Sequence, residues 1–267
     1  MKNKLLFLIL LFVNLSCSKK PSVPTEPFDT TYTAYTSVLK TYVIGEKVDY
    51  KHLQENRQNL DSYINQLAGT TSGELDEMSQ NEQMAYWINA YNGITLRSII
   101  DAYPVKSIQN IKGVWKEKKW YVAEQELTLD QIEHQILRPT FQDARVHFAV
   151  HSASVGSPPL FNEPFKGDIL DNQLNLVVSR FVQNVHRHTI NFEKHTIKTT
   201  EIFSWFWTDF VEKYNSIKFS NTADIDNAVL NFTSEYLSDS TQSKFDKTAK
   251  WYVSFYRYDW SLNDIER

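Results

Sequence analysis

The 267-residue sequence holds one cysteine, three methionines, seven glycines and eight prolines. A lone cysteine rules out an intramolecular disulfide, and with it the small stapled scaffolds that depend on several. So few glycines and prolines, with no internal repeat, argue against a loop-rich or repeat architecture. The apolar run Leu5–Val13 is nine residues long, well short of the roughly 20 that cross a bilayer. Basic residues are in no excess, 28 against 32 acidic for a net charge of −4, so the basic stripe that nucleic acid requires is missing. The phosphate-cradling patterns G-x-G-x-x-G and G-x-x-x-x-G-K are absent, as is the G-x-S-x-G elbow. What remains is a globular chain, 42% hydrophobic and 14% aromatic, with a sizeable core.

The N-terminus MKNKLLFLILLFVNLSCSKK has Lys2 and Lys4 ahead of the apolar run and small residues before Cys17. This is the layout of a secretory signal, and it resembles a bacterial lipoprotein signal whose cysteine is acylated and becomes the new N-terminus. Asn14 stands where an aliphatic residue is usual. Residues 1–16 are thus expected to be a signal peptide, 17–27 a polar, proline-rich tether, and 28–267 one domain. Removing residues 1–16 takes two lysines and leaves a net charge of −6. A diacylglycerol with an amide-linked chain gives the two hydrophobic signals that stable anchoring needs. No acidic residue follows Cys17, so the expected location is the outer membrane, facing the periplasm, with the membrane as partner through Cys17.

Along the domain, periodicity predicts helices over 28–43, in QENRQNLDSYINQLAG, and over SQNEQMAYWINAYNGITLRSIIDAYP. The last has a capping box in Ser79 and Glu82, is apolar most of the way round, and should be central. GVWKEKKWYVAEQELTL reads as a hairpin with Trp115 and Trp120/Val122 flanking its turn. TLDQIEHQILRP reads as a short helix capped by Thr128 and Gln131 and stopped by Pro139. In RVHFAVHSASVGSPPL, apolar-polar alternation predicts a strand, with Val146, Phe148 and Val150 on one face and Arg145, His147 and His151 on the other. A helix (168–186), a hairpin TINFEKHTIKT, an aromatic helix EIFSWFWTDFVEKY, a helix from Thr222 and a closing strand WYVSFYRYDWSLN follow. Helices and hairpins without βαβ alternation indicate a single α+β domain.

His147 and His151, four apart on a strand, would lie about 13 Å apart at about 3.3 Å per residue, too far for one metal. His186 and His188 are better spaced if extended but lie at a helix end with no obvious third ligand, though His195 could join them through the hairpin. No metal or cofactor is expected. Two features remain: Glu133-His134 on a short capped helix, and the loop bearing Ser152, Ser154 and Ser157. An imidazole can take a hydroxyl proton when a carboxylate orients it. Adjacent helix residues diverge by about 100°, so Asp259 is the better orienting candidate than Glu133. From the residues alone, His134 packs or caps and the loop is simply tight.

The succession WINAYNGITLRSIIDAYPV, LTLDQIEHQILRP, RVHFAVHSASVGSPPL and YDWSLN resembles bacterial members of the domain of unknown function 547 family. The resemblance implies cysteines where this chain has Ser152 and Ser157, and it keeps Glu133, His134, Asn89 and Asn92. A thiol ionises readily beside an imidazole, whereas a hydroxyl needs an oxyanion hole and an aligned base. Loss of the thiols favours a noncatalytic domain holding a peptide or glycan against Trp87, Tyr91, Trp260 and the asparagines. The alternative is a serine hydrolase or acyltransferase with Ser157 or Ser152 as nucleophile and His134 as base. If the family's cysteines are structural, the serines instead replace a staple.

Overall fold

The centre of the molecule is set by residues 80–102, whose apolar positions go most of the way round a helix. In the computed structural model, which describes residues 23–266, they form α5 (Gln80–Ala102), buried along most of its length. Its start is the expected reciprocal capping box of Ser79 and Glu82. The expected signal and Cys17 lie outside the described residues. Glu26, at the end of the expected tether, donates its N–H to the Asn65 carbonyl at 3.0 Å, and its carboxylate accepts from Ser62 and Asn65.

On one side α5 meets α1 (Thr33–Tyr42), α2 (Tyr50–Glu55) and α3 (Gln58–Gly69), followed by α4 (Ser72–Glu77). Between α1 and α2 lies a small hairpin of β1 (Val43–Ile44) and β2 (Lys47–Val48). Gly93 makes room for α3: a Cβ there would lie 2.6 Å from the Tyr63 ring, which stacks on Tyr35 at 4.2 Å. Next comes the hairpin of β3 (Trp120–Val122) and β4 (Gln125–Leu127). Its turn residues Ala123 and Glu124 both have positive φ, the tight geometry that matches strand twist. The hairpin is therefore shorter than the expected one, and Trp115 belongs to the turns before it.

The helix after Thr128 begins with the expected cap, as α6 (Leu129–Gln131), but Pro139 does not stop it. A π-helical turn, Ile132–Leu137, carries the chain into α7 (Arg138–Phe141). Proline has no N–H and its ring crowds the carbonyl four residues back. Widening to the i→i−5 pattern, in which Arg138 N–H reaches the Glu133 carbonyl, relieves that clash without ending the helix.

The largest departure is the predicted strand at 145–150. Residues Val146–Ala149 form a helical turn, α8, started by Asp143, whose carboxylate accepts from the Arg145 N–H at 3.0 Å. All four residues are buried, so the polar His147 did not mark a solvent face. Phe148 enters a cluster with Phe181, Phe203, Phe210 and Phe232 at ring separations of 4.8–6.3 Å. Those rings come from α9 (Leu170–Gln183), α10 (Ile202–Trp205), α11 (Trp207–Tyr214) and α12 (Asp224–Ser234). The aromatic segment 201–214 is two helices, broken at Phe206, rather than one.

The remaining sheet has three strands, β5 (Thr189–Asn191), β6 (Thr196–Thr200) and β7 (Tyr252–Tyr256). β5 and β6 form the expected antiparallel hairpin, and β7 joins β6 in parallel, with Ile197 opposite Val253. The domain is α+β. Among the described residues no helix is long and apolar enough to cross a membrane.

Candidate functional site

Four segments far apart in sequence meet around a cavity of about 240 Å³: the π-turn, the serine loop, the stretch around Trp205 and the stretch around Tyr258. Glu133, His134, Ser152, Ser157 and Trp260, all singled out from sequence, line it together. Its walls are largely aromatic. Trp205 and Trp260 lie nearly parallel at 5.9 Å, Tyr258 is within 4.8 Å of both, and Trp115 meets Trp260 edge-on at 5.7 Å.

The serine loop is held at every backbone group that matters. Val155 N–H and Gly156 N–H donate to the carbonyls of Ser261 and Asp259 at 2.9 and 2.8 Å. Gly156 is required there, because a Cβ would sit 2.7 Å from the Asp259 nitrogen. Asn92 accepts from the His151 N–H and donates to the Ala149 carbonyl, fixing the loop's entry to α5. From behind, Arg187 donates to the carbonyls of Ser157 at 2.8 Å and Val155 at 3.0 Å, and pairs with Glu46 at 2.7 Å. Arg187→Ala is expected to destabilise the fold by about 2 kcal/mol, the size of charge-assisted hydrogen bonds lost. It should also speed amide exchange at Ser157 far more than in the α5 core; uniform acceleration would show that Arg187 does not act on the loop.

Within this frame the hydroxyls satisfy one another. Ser152 Oγ lies 2.9 Å from both Ser154 Oγ and the Tyr258 hydroxyl, Ser154 donates to Tyr258 at 3.1 Å, and Ser157 Oγ accepts from the Ser152 N–H at 3.1 Å. None of these serines hydrogen-bonds an imidazole. The two positions at which the family resemblance implies cysteines are thus immediate neighbours.

His134 is occupied too. Arg138 donates to its Nδ1 at 3.1 Å, and because guanidinium cannot accept, that nitrogen's lone pair is used. The remaining nitrogen carries the proton and faces Asp130 at 3.8 Å. Burial holds this imidazole's pKa below its ordinary value, with Arg138 and Lys116 adding to the effect against Asp130. A base role for His134 would therefore require breaking the Arg138 contact first.

Sequence reasoning missed the second histidine network. His147, buried on α8, donates from Nε2 to Asp209 Oδ2 at 2.9 Å and stacks on Phe206 at 4.0 Å, while its Nδ1 has no partner. Arg138 grips the same Asp209 with two bonds of 2.7 and 2.8 Å. Burial alone would raise the Asp209 pKa, but these donors outweigh it and hold the carboxylate well below its ordinary range. Glu133 goes the other way. Its carboxyl is enclosed by the cavity wall, and desolvation pushes it up to about 7, partly offset by the Tyr91 hydroxyl and by Arg138.

Other expected residues lie elsewhere. Asp259 bonds Ser261 and lines a separate groove behind the loop with Arg187, so it does not orient His134. Trp87 is core, edge-on to Tyr86 at 5.2 Å. Asn89 serves the fold by bonding both backbone groups of Phe165 at 2.8 and 2.9 Å. The separation argued for His147 and His151 also lapses with the strand, since His147 lies within a helical turn and His151 just after it; His151 donates from Nδ1 to the Pro158 carbonyl at 2.8 Å. Among the described residues no three His, Cys, Asp or Glu side chains come together as a metal site.

Residues 75–182 match the family model Protein of unknown function, DUF547. The matched segment runs from α4 to α9 and includes Glu133, His134, His147 and the serine loop. Trp205, Asp209, Tyr258 and Trp260 lie beyond it, so most of the aromatic wall and the carboxylate of the His147 network come from the C-terminal third, while Trp115 lies within the match. No curated protein and no solved structure matches the chain.

Proposed function

We propose that this protein is a noncatalytic binding domain that holds part of a peptide or glycan in the aromatic cavity. The observation that carries the reading is the state of the reactive groups: the loop hydroxyls bond one another and Tyr258, and the basic nitrogen of His134 is taken by Arg138. A cavity of 240 Å³ lies below the usual range of about 300–1,000 Å³ for drug-sized ligands. It suits one ring or side chain, with the rest of the ligand outside. Trp205, 45% exposed, and Trp207, 52% exposed, offer further aromatic surface at and beyond the rim.

Binding is expected to shift tryptophan emission, because three tryptophans line the cavity. Titration with N-acetylglucosamine oligomers and with short peptides should give a saturable change for one of the two sets. Trp260→Ala should weaken that binding by about tenfold or more, as loss of a buried aromatic contact at an interface does. No response to either set would contradict the reading.

The proposal includes a lipid anchor at Cys17 and a periplasm-facing position on the outer membrane, supported by the signal-like layout of residues 1–17. Palmitate labelling of the expressed protein should vanish in Cys17→Ala. Labelling that persists would remove the anchor from the account.

A further inference from the structure

We infer that the group the cavity recognises is an organic cation, the alkylammonium of an amine-bearing ligand. This rests on the binding reading above and names the chemistry of its ligand. The cavity presents the faces and edges of Trp115, Trp205, Trp260 and Tyr258 together with two carboxyl groups, Glu133 and Asp130. Aromatic rings around a small void attract a cation through their quadrupoles, most strongly where water is excluded. The same wall already does this once: the Arg138 guanidinium lies 4.9 Å from the Phe206 ring centroid.

The charges in the wall are arranged to leave room for one more positive group. Arg138 is spent on Asp209. Glu133 takes part in no ion pair among the described residues; its carboxyl bonds the Tyr91 hydroxyl and feels Arg138 only from beyond ion-pair distance. Asp130 has two loose contacts of 3.8 Å, one with the Nε2 of neutral His134 and one with Lys116, whose side chain is 79% exposed and supplies the only full positive charge there. A ligand ammonium entering between the rings can take over that contact and give Glu133 the counter-charge it lacks. A neutral sugar ring would gain the stacking and leave both carboxyls unanswered.

A pH signature follows, because a cation binds the ionised form of Glu133 best. The groups facing Glu133 are Tyr91 from α5, Asp209 from α11, His147 from α8, Lys116 from the preceding turns, and Asp130, His134 and Arg138 from its own helical segment. With Glu133 pushed up to about 7, affinity should rise roughly tenfold from pH 6 to pH 8 as the bound cation displaces its proton.

The test is titration of the whole domain with tetramethylammonium, against neopentyl alcohol as its uncharged counterpart. Nα-acetyl-lysine amide, glycine amide and glucosamine then separate a lysine side chain, a peptide N-terminus and an amino sugar as the source, with N-acetylglucosamine as the uncharged sugar. The cation should bind at least tenfold more tightly than the alcohol, and Glu133→Gln, with an unchanged melting temperature, should abolish the rise in affinity with pH. Should Glu133→Gln itself unfold, Asp130→Asn must weaken the cation and spare the alcohol. Equal binding of cation and alcohol, or a pH rise that survives Glu133→Gln, overturns the inference. Binding of neutral sugars or uncharged peptides alone also overturns it but leaves the binding domain standing, and no binding by any probe sinks both.

Discussion

Phe148→Ala is expected to lower the free energy of unfolding by about 4 kcal/mol, within the range for deleting a buried phenylalanine ring. Phe148 is 1% exposed, and its ring touches aromatic side chains from α9, α10, α11 and α12 at once. Four helices that converge on one ring cannot all close the void it leaves, so the cavity term should be near its upper end. Phe148 also anchors the single helical turn that carries His147 on its other side. Denaturant unfolding of the two proteins measures the effect. A loss under about 1.5 kcal/mol would mean that the cluster collapses freely and that α8 is not fixed by it.

His188→Gln is expected to change the acid sensitivity of the fold by about one proton's worth. His188 is buried, 2.9 Å from the Thr199 hydroxyl and 3.2 Å from that of Thr233, and burial lowers its pKa to about 4 against 6.5 when free. Between those values the unfolded chain binds a proton that the folded protein refuses. Stability from this group is therefore complete above pH 6.5 and lost as pH falls to 4, by about 3 kcal/mol. His151 has the same sign and a similar printed depth, to about 4. Glu133, raised to about 7, opposes them, since its stability contribution is lost as pH climbs from 4.5 to 7. The wild-type profile is a resultant, but the difference between wild type and His188→Gln isolates one group. That difference should grow steadily from pH 4 to 6.5; a flat difference would show that His188 is not held neutral.

What could be read in the sequence was whatever local chemistry dictates. The capping boxes at Ser79 and Thr128 stand as expected, because each involves residues three apart and nothing else. The all-round apolar character of 80–102 placed α5 at the centre for the same reason. The turn at 146–149 was misread because alternation implies one wet face, and His147 instead meets a carboxylate 62 residues away. The parallel pairing of β7 with β6 was hidden similarly, since register between strands over fifty residues apart leaves no mark on either. The site divides along this line. Glu133, His134, Ser152 and Ser157 were found on motifs, and Trp260 as an aromatic among polar residues. Trp87 was misplaced because a tryptophan in a central helix looks the same whether it faces core or cavity. Asp209 and Trp205 carried no local signal: they sit in one aromatic stretch whose break at Phe206 sends Trp205 to the cavity and Trp207 to solvent.

The proposed binding role depends on the loop oxygens being committed to one another, with no activated nucleophile among them. Treating the purified domain with a fluorophosphonate probe and mapping adducts by mass spectrometry tests it most directly. No adduct is expected on Ser152, Ser154 or Ser157 at any pH from about 6 to about 9. An adduct on Ser152 or Ser157 that disappears in His134→Ala or His147→Ala would contradict it.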